Sequence, residues 1–224
     1  RPVGLGPMHE AYPGRVIDVG IAEAEAVASA AGMAYEGAHP VVALYATFLN
    51  RGFDQLLMDV ALHRAGVTLV LDRAGVTGAD GASHNGVWDI AMCSLIPGLR
   101  LAAPRDEDTL RSRVREALDV DDAPTVIRYR KGSLPEPMPA LRTVGGVDIL
   151  VDEAGDPSSD RVLIVGTGAC APDAIKAARR LVADGVSVTV ADPQWMIPIS
   201  PDLVSLAGED DCVCLLYTSP SPRD

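Results

Sequence analysis

The chain has 224 residues, with 19 Lys and Arg against 31 Asp and Glu, a formal net charge of −12, and 48% apolar against 22% charged residues. A surface that negative repels a phosphate backbone, whose affinity for proteins comes largely from Lys and Arg displacing counterions, so nucleic acid is excluded as an expected partner. The apolar fraction is ample for a packed core and excludes disorder for most of the chain. Cys93, Cys170, Cys212 and Cys214 show neither the dense spacing of a secreted disulfide scaffold nor the C-x-x-C of a structural zinc site, which fits a reducing cytoplasm. No apolar run approaches the roughly 20 residues of a membrane span. The start, Arg1-Pro2-Val3-Gly4, carries neither an initiator Met nor a signal pattern and reads as a piece of something longer.

Runs rich in Val, Ile and Leu alternate with helical patterns, the mark of an α/β fold with crossover helices. In chain order, the patterns predict a strand over 15–19, an Ala-rich helix over 21–33, a strand over 41–44 and a helix over 54–64 with Leu56, Leu57, Val60 and Ala61 on one face. Val67 to Leu71 is a near-continuous apolar run, as in a strand buried on both faces. A strand over 99–102, a helix over 106–118 with acidic residues in its first turn, and a strand over 125–129 complete a first domain, residues 1–132. Pro and Gly crowd residues 133–160, which read as a linker with one short strand at 147–151. A second, shorter α/β domain over 161–213 has strands at 161–165 and 186–190 and helices at 171–183 and 201–207. The Gly166-Thr167-Gly168 turn lacks the third glycine of a dinucleotide fingerprint, since Ala171 stands there, and reads as a plain strand-to-helix turn.

Three stretches could carry chemistry. Residues 72–86 follow the buried strand, where ligands bind in parallel sheets, and place Arg73, Asp80 and His84 among glycines that let backbone approach a ligand. A solvated turn is the alternative, because Gly and Asp are ordinary turn residues. Glu23 sits among Ile21, Ala22, Ala24, Ala26 and Val27, where a carboxylate is costly without a specific partner. An ordinary exposed helix glutamate is the competing reading. Tyr45, Phe48 and Arg51 fall at steps of three just beyond a strand, on one side of a helical turn, with core packing of Phe48 as the bland alternative.

In this order, Asp18-Val19-Gly20-Ile21-Ala22-Glu23, Tyr45-Ala46-Thr47-Phe48-Leu49-Asn50-Arg51, and Asp72-Arg73-Ala74-Gly75 through Gly78-Ala79-Asp80-Gly81 to His84, the chain resembles the 1-deoxy-D-xylulose-5-phosphate synthase family. That family belongs to the transketolase-like thiamine diphosphate enzymes. The resemblance runs from about Gly4 to Asp210. It implies a parallel-sheet, pyrimidine-binding domain of transketolase type, then a truncated C-terminal-type α/β domain. It further implies a transferase of isoprenoid precursor synthesis that condenses pyruvate with glyceraldehyde 3-phosphate and releases carbon dioxide. The cofactors implied are thiamine diphosphate and Mg²⁺, in a cytoplasmic homodimer.

Carried over by resemblance, Glu23 hydrogen-bonds the pyrimidine ring of the cofactor, Phe48 stacks on that ring, and Tyr45 and Arg51 line the pocket. Arg73, Asp80, His84 and Lys131 contact the substrates, with Arg73 and Lys131 toward a phosphate and His84 as catalytic hydrogen-bond donor or proton shuttle. No G-D-G with a downstream Asn appears, so the metal ligands are expected outside this chain and the chain alone is expected to be inactive. Two departures stand out: Ala24-Glu25 replace the usual Gln-His, and Arg130 replaces a proline in Arg128-Tyr129-Arg130-Lys131-Gly132. Residues 214–224 resemble a translated sequencing adaptor and are set aside as a non-native tail. The competing functions are another transketolase-like decarboxylase or transferase, and a non-catalytic α/β dimerisation module.

Overall fold

A computed structural model describes residues 4–218. In chain order the main elements are α1 (Gly6–Ala11), α2 (Glu23–Tyr35), β1 (Val41–Tyr45), α3 (Phe53–Gln55, widening into a π turn over Leu56–Ala61), β2 (Thr68–Asp72), α4 (Asp89–Ser94), β3 (Arg100–Ala102), α5 (Glu107–Leu118) and β4 (Thr125–Arg128). They continue as β5 (Arg142–Val144), β6 (Val147–Glu153), β7 (Arg161–Gly166), α6 (Ala171–Ala183), β8 (Ser187–Pro193), α7 (Pro201–Ala207) and β9 (Cys212–Leu216). The described chain divides into two compact units, 4–99 with Ala117–Lys131, and Arg100–Glu116 with 132–218.

In the first unit β1 runs parallel to β2 from Val41 opposite Thr68 to Tyr45 opposite Asp72, and β2 runs parallel to β4 up to Leu71 opposite Arg128. Leu69, Leu71, Val126 and Ile127 are fully buried, as the continuous apolar runs require of strands covered on both faces. At the other end of the strands the Thr68 and Thr125 hydroxyls bond at 2.8 Å, satisfying polar groups that burial would otherwise orphan. Leu56 and Val60, one helical turn apart, are fully buried, while the expected helix stops before Arg64, which turns at φ 54°. Gly66 follows because a Cβ there would lie 2.8 Å from the Asp121 backbone.

The strand expected over 15–19 does not form. Pro13–Arg15 make a 3₁₀ turn, Ile17 is 66% exposed, and Asp18 Oδ1 accepts the Gly20 N–H at 2.9 Å. An aspartate that bonds backbone two residues on competes with ladder formation, and no residue over 15–19 is fully buried to offset that.

Residues 72–86 are not a loose loop. Gly75 and Gly86 exchange both backbone hydrogen bonds, at 2.7 and 2.9 Å, and close a neck beside the end of β2. Thr77 donates its N–H and Oγ1 hydroxyl to Asn85 Oδ1 at 3.0 and 3.1 Å, and the Thr47 hydroxyl donates to the Ser83 carbonyl at 3.1 Å. A Cβ on Gly86 would lie 2.4 Å from the Ala46 Cβ and 2.7 Å from the Arg73 carbonyl oxygen.

The second unit has a mixed sheet in the order β5-β6-β8-β7-β9. The pairs β5-β6 and β6-β8 are antiparallel, and β7-β8 and β7-β9 are parallel. Residues 142–153, expected within the linker, thus form a hairpin that belongs to this sheet. One side of it buries Leu150, Ile164, Val188 and Val190 against Ala171, Ala174 and Ala178 of α6. The small residues of α6 allow this approach, and Gly166 completes it, since a Cβ there would lie 2.5 Å from the Ala174 Cβ. Residues 214–216, set aside as part of a tail, lie in β9; residues 219–224 of that tail fall outside the described residues.

A buried charge cluster crosses the second unit. Arg105 Nη1 donates to Asp148 Oδ2 at 2.7 Å and to Asp192 Oδ2 at 2.9 Å, and its Nε donates to the Met138 carbonyl at 2.9 Å. Burial favours the neutral form of Asp148, yet hydrogen bonds from Thr143, Arg105 and Gln194 outweigh it and hold the carboxyl below the usual range. At Asp192 burial, helped by the Asp148 charge, outweighs Arg105 and the Gly168 N–H and pushes the carboxyl up to about 7. Asp192, near the end of β8, is thus engaged with Arg105.

Two measurements follow from these contacts. Gly86→Ala is expected to cost roughly 1–3 kcal/mol through overpacking at the neck, read as a lower melting temperature; an unchanged one would refute the close approach. Folding takes up a proton at Asp192 wherever the folded carboxyl is protonated and the unfolded one is not, between the ordinary 3.8 and about 7. This group's contribution to stability is thus fully present below that window and lost as pH rises through it, by at most about 1.4 kcal/mol per pH unit. Thermal melts across the window should show a shallower pH dependence for Asp192→Asn than for the native chain; parallel curves would contradict the assignment.

Candidate functional site

The parallel register brings the carboxyl ends of β1, β2 and β4 to one edge of the first unit, with Tyr45, Asp72 and Arg128 as their last residues. Ligands of parallel sheets bind beyond such ends. From Tyr45 the chain turns through a 3₁₀ segment, Ala46–Arg51, that buries Ala46, Thr47 and Leu49 and leaves Tyr45, Phe48 and Arg51 to one side. Gly52 ends it, and a Cβ there would lie 3.0 Å from Val27 Cγ2 and 3.2 Å from the Glu23 carbonyl oxygen. The absence of that Cβ lets the turn settle on the first turn of α2, which begins at Glu23.

Glu23 is 9% exposed. Its Oε2 lies 3.5 Å from Arg51 Nη1, a charge contact longer than an ordinary hydrogen bond. The exposed-glutamate reading is thereby set aside for Glu23. It applies instead to Glu25, which is exposed and accepts the Ser29 hydroxyl at 2.8 Å.

The Arg51 guanidinium sits 5.0 Å over the Phe48 ring, and Phe48 stacks on Tyr45 with centroids 6.0 Å apart and planes 17° from parallel. His84 meets both rings edge-on, at 5.5 Å from Phe48 and 6.4 Å from Tyr45, and its Nδ1 lies 3.0 Å from Ser83 Oγ. The Arg73 guanidinium covers the other part of the row, 3.9 Å over Tyr45. Cation-over-ring contacts of this kind hold an arginine without consuming its hydrogen-bond donors.

Arg73 adopts φ 62°, uncommon for a residue with a Cβ, and its N–H donates to Asp72 Oδ1 at 2.7 Å. Burial raises Asp72 above the usual carboxylate range, against the opposing pull of that bond and of Lys131. Asp80 stands between two cations: Lys131 Nζ donates to its Oδ1 at 2.6 Å, and Arg73 Nε lies 3.0 Å from its Oδ2. The Lys131 hydrogen bond, more than any other contact, holds the Asp80 carboxyl below the usual range. The Arg73–Asp80 contact is an ion pair by distance but misses hydrogen-bond direction, so Arg73 Nε and Nη1 are buried without a hydrogen-bond partner among the described residues. Buried donors of a cation without acceptors mark a place where an anionic group would be welcome.

Glu23, Arg51, Phe48, Tyr45, Arg73, Asp80 and Lys131 thus form one continuous row of contacts, with His84 against its aromatic middle. Arg130, the departure next to Lys131, is exposed. Sequence reading missed Asp72, legible only as a strand-end carboxylate, and Thr47 and Asn85, which brace residues 72–86. It also missed the pair Asp89 and Arg128, for which spacing gives no signal. Among the described residues no group of three or more His, Cys, Asp or Glu could hold a metal ion, and no helix is long and apolar enough to cross a membrane.

Comparison with known proteins bears on the whole chain. The family "Transketolase, pyrimidine binding domain" matches residues 3–137, and "Transketolase, C-terminal domain" matches residues 155–218. The chain is 60% identical over 208 residues to 1-deoxy-D-xylulose-5-phosphate synthase 1 of Kitasatospora griseola, covering 93% of this chain and 32% of that protein. It is 53% identical over 216 residues to the synthase of Mycobacterium avium, covering 95% of this chain and 34% of the relative. The chain therefore spans about a third of the length of these relatives. Among solved structures it is similar to a split-gene transketolase described as an inactive β4 tetramer, with a TM-score of 0.76, 27% identity, and coverage of 92% of this chain and 66% of that one. A transketolase from Leishmania mexicana shares the fold, with a TM-score of 0.70 at 22% identity over 83% of this chain and 28% of that one. With its pyrimidine-binding-domain match extending over more than half of its length, the chain belongs to the transketolase family.

Proposed function

We propose that this chain supplies the pyrimidine-binding and C-terminal parts of a 1-deoxy-D-xylulose-5-phosphate synthase, which joins pyruvate to glyceraldehyde 3-phosphate with loss of carbon dioxide. The observation that carries this reading is the continuous row from Glu23 to Lys131, which sets a nearly buried carboxylate, an aromatic face and an anion-seeking arginine side by side. The residues fit thiamine diphosphate. Glu23 has no short hydrogen bond of its own among the described residues, leaving its carboxyl ready for a ring nitrogen, and Phe48, flanked by Arg51 and Tyr45, supplies an aromatic partner for a pyrimidine. When bound, the cofactor supplies the nucleophilic carbon and the electron sink.

The chain's own part is positioning and charge. Glu23 would share a proton with the pyrimidine nitrogen, donating as the acid to the bare ring nitrogen and accepting as the carboxylate once that nitrogen is protonated, in surroundings dry enough to strengthen that bond. Phe48 and Tyr45 keep water from the ring. The free donors of Arg73, with the Lys131 point charge, suit the phosphate of the acceptor, and Asp80 between them orients its hydroxyls. His84 donates to the oxygen that gains charge during bond formation.

Magnesium and the diphosphate are held by residues outside this chain, which has no metal-type Asp and Asn motif, so the chain alone gives no turnover. The protein works as a homodimer in the cytoplasm. Strongly exposed Ile21, at 87%, and Val76, at 77%, support a covering partner, and four unbridged cysteines support a reducing compartment. In the full-length protein Glu23→Gln is expected to lower kcat by roughly 10²–10⁴-fold without changing the melting temperature, measured as product formed from pyruvate and glyceraldehyde 3-phosphate. Near-native turnover would overturn the role of Glu23.

A further inference from the structure

Asp89 is fully buried and Arg128 is 4% exposed. They meet side-on, with Arg128 Nε donating to Asp89 Oδ2 at 2.7 Å and Nη2 reaching Oδ1 at 3.3 Å, while Asp89 Oδ1 also accepts the Ile90 N–H at 3.0 Å. Taking two such charges out of water costs several kcal/mol each, and a well-packed apolar pair of similar volume holds two elements together as well or better. A buried pair is thus a poor means of gaining stability. Its two-pronged fork is a good means of fixing a direction.

What it fixes follows from its place in the chain. Asp89 opens α4, three residues after Gly86 and five after His84. Arg128 closes β4, three residues before Lys131. Beyond Arg128, the Tyr129 N–H donates to the Leu71 carbonyl, and the Tyr129 carbonyl accepts the Ala74 N–H, both at 3.0 Å. The neck at Gly75 and Gly86 ties residues 72–86 to themselves. The fork ties the exit of that segment to the strand that delivers Lys131, and the Asp80–Lys131 bond spans the same two segments at the surface.

We propose that Asp89 and Arg128 are positioning residues, which set where His84 and Lys131 stand rather than how stable the fold is. This rests on the reading of His84, Asp80 and Lys131 as site residues. Cys93, one turn along α4 and fully buried, shows how dry the surroundings are: burial first, then the Asp89 charge, drives its thiol well above the usual range.

The test is NMR of the full 224-residue chain, reading the ring-proton shifts of His84, which lies against Tyr45 and Phe48. In the apolar double variant Asp89→Leu with Arg128→Met, the melting temperature is expected to stay within about 4 °C of native. The His84 protons should lose about half or more of their ring-current displacement. Asp89→Asn, which keeps shape and removes charge, should give an intermediate loss and covers the case in which the double variant does not fold. Native His84 shifts in either folded variant would overturn the proposal. So would failure of both to fold, because the pair would then be holding the fold itself. Cofactor binding is not part of the readout, so the outcome is separate from the fate of the Glu23 assignment.

Discussion

Tyr45, Asp72 and Arg128 terminate three neighbouring parallel strands, and the register that sets Tyr45 opposite Asp72 and Leu71 opposite Arg128 decides where every site residue stands. The turn after Tyr45 brings Phe48 and Arg51 to α2, the segment after Asp72 brings Arg73, Asp80 and His84, and the end of β4 brings Lys131. A shift of one residue in either ladder would turn these side chains to the opposite face. The buried Val, Leu and Ile of the strands, each worth roughly 1.5–3 kcal/mol of burial, oppose such a slip. Core packing and site geometry therefore share one constraint.

The chain as a whole is strongly acidic, whereas the site sets three cations among its three carboxylates. A net −12 opposes a polyanionic surface at long range, yet Arg51, Arg73 and Lys131 gather within one row. Two of these arginines lie over aromatic rings, which hold them without spending donors, and Asp80 keeps Arg73 and Lys131 together against their mutual repulsion. Cations gathered this closely act over a few ångströms, where screening is weak.

Much of this was legible in sequence, for stated reasons. Residues 67–71 read as a doubly buried strand because the run is apolar without alternation, and residues 171–183 and 201–207 read as helices because each starts at a proline-bearing first turn after a strand-to-helix loop. The ordered motifs around Glu23, Phe48, Arg73 and His84 singled out side chains that the structure brings into one row of contacts. The strand over 15–19 failed because apolar pattern alone does not supply a pairing neighbour, and Asp18 offered its backbone a local turn instead. The hairpin over 142–153 was hidden by prolines and glycines that mark its borders, not its interior. Asp89 with Arg128, and Arg105 with Asp148 and Asp192, were invisible because partners 39, 43 and 87 residues apart leave no periodic trace.

In the proposed function the nearly buried Glu23 and the ring of Phe48 receive the pyrimidine of thiamine diphosphate. A crystal structure of the full-length protein with that cofactor bound tests it most directly. A Glu23 oxygen is expected about 2.7–3.0 Å from a pyrimidine ring nitrogen, with the ring stacked on Phe48. A pyrimidine bound elsewhere, with Glu23 still facing only Arg51, would contradict it.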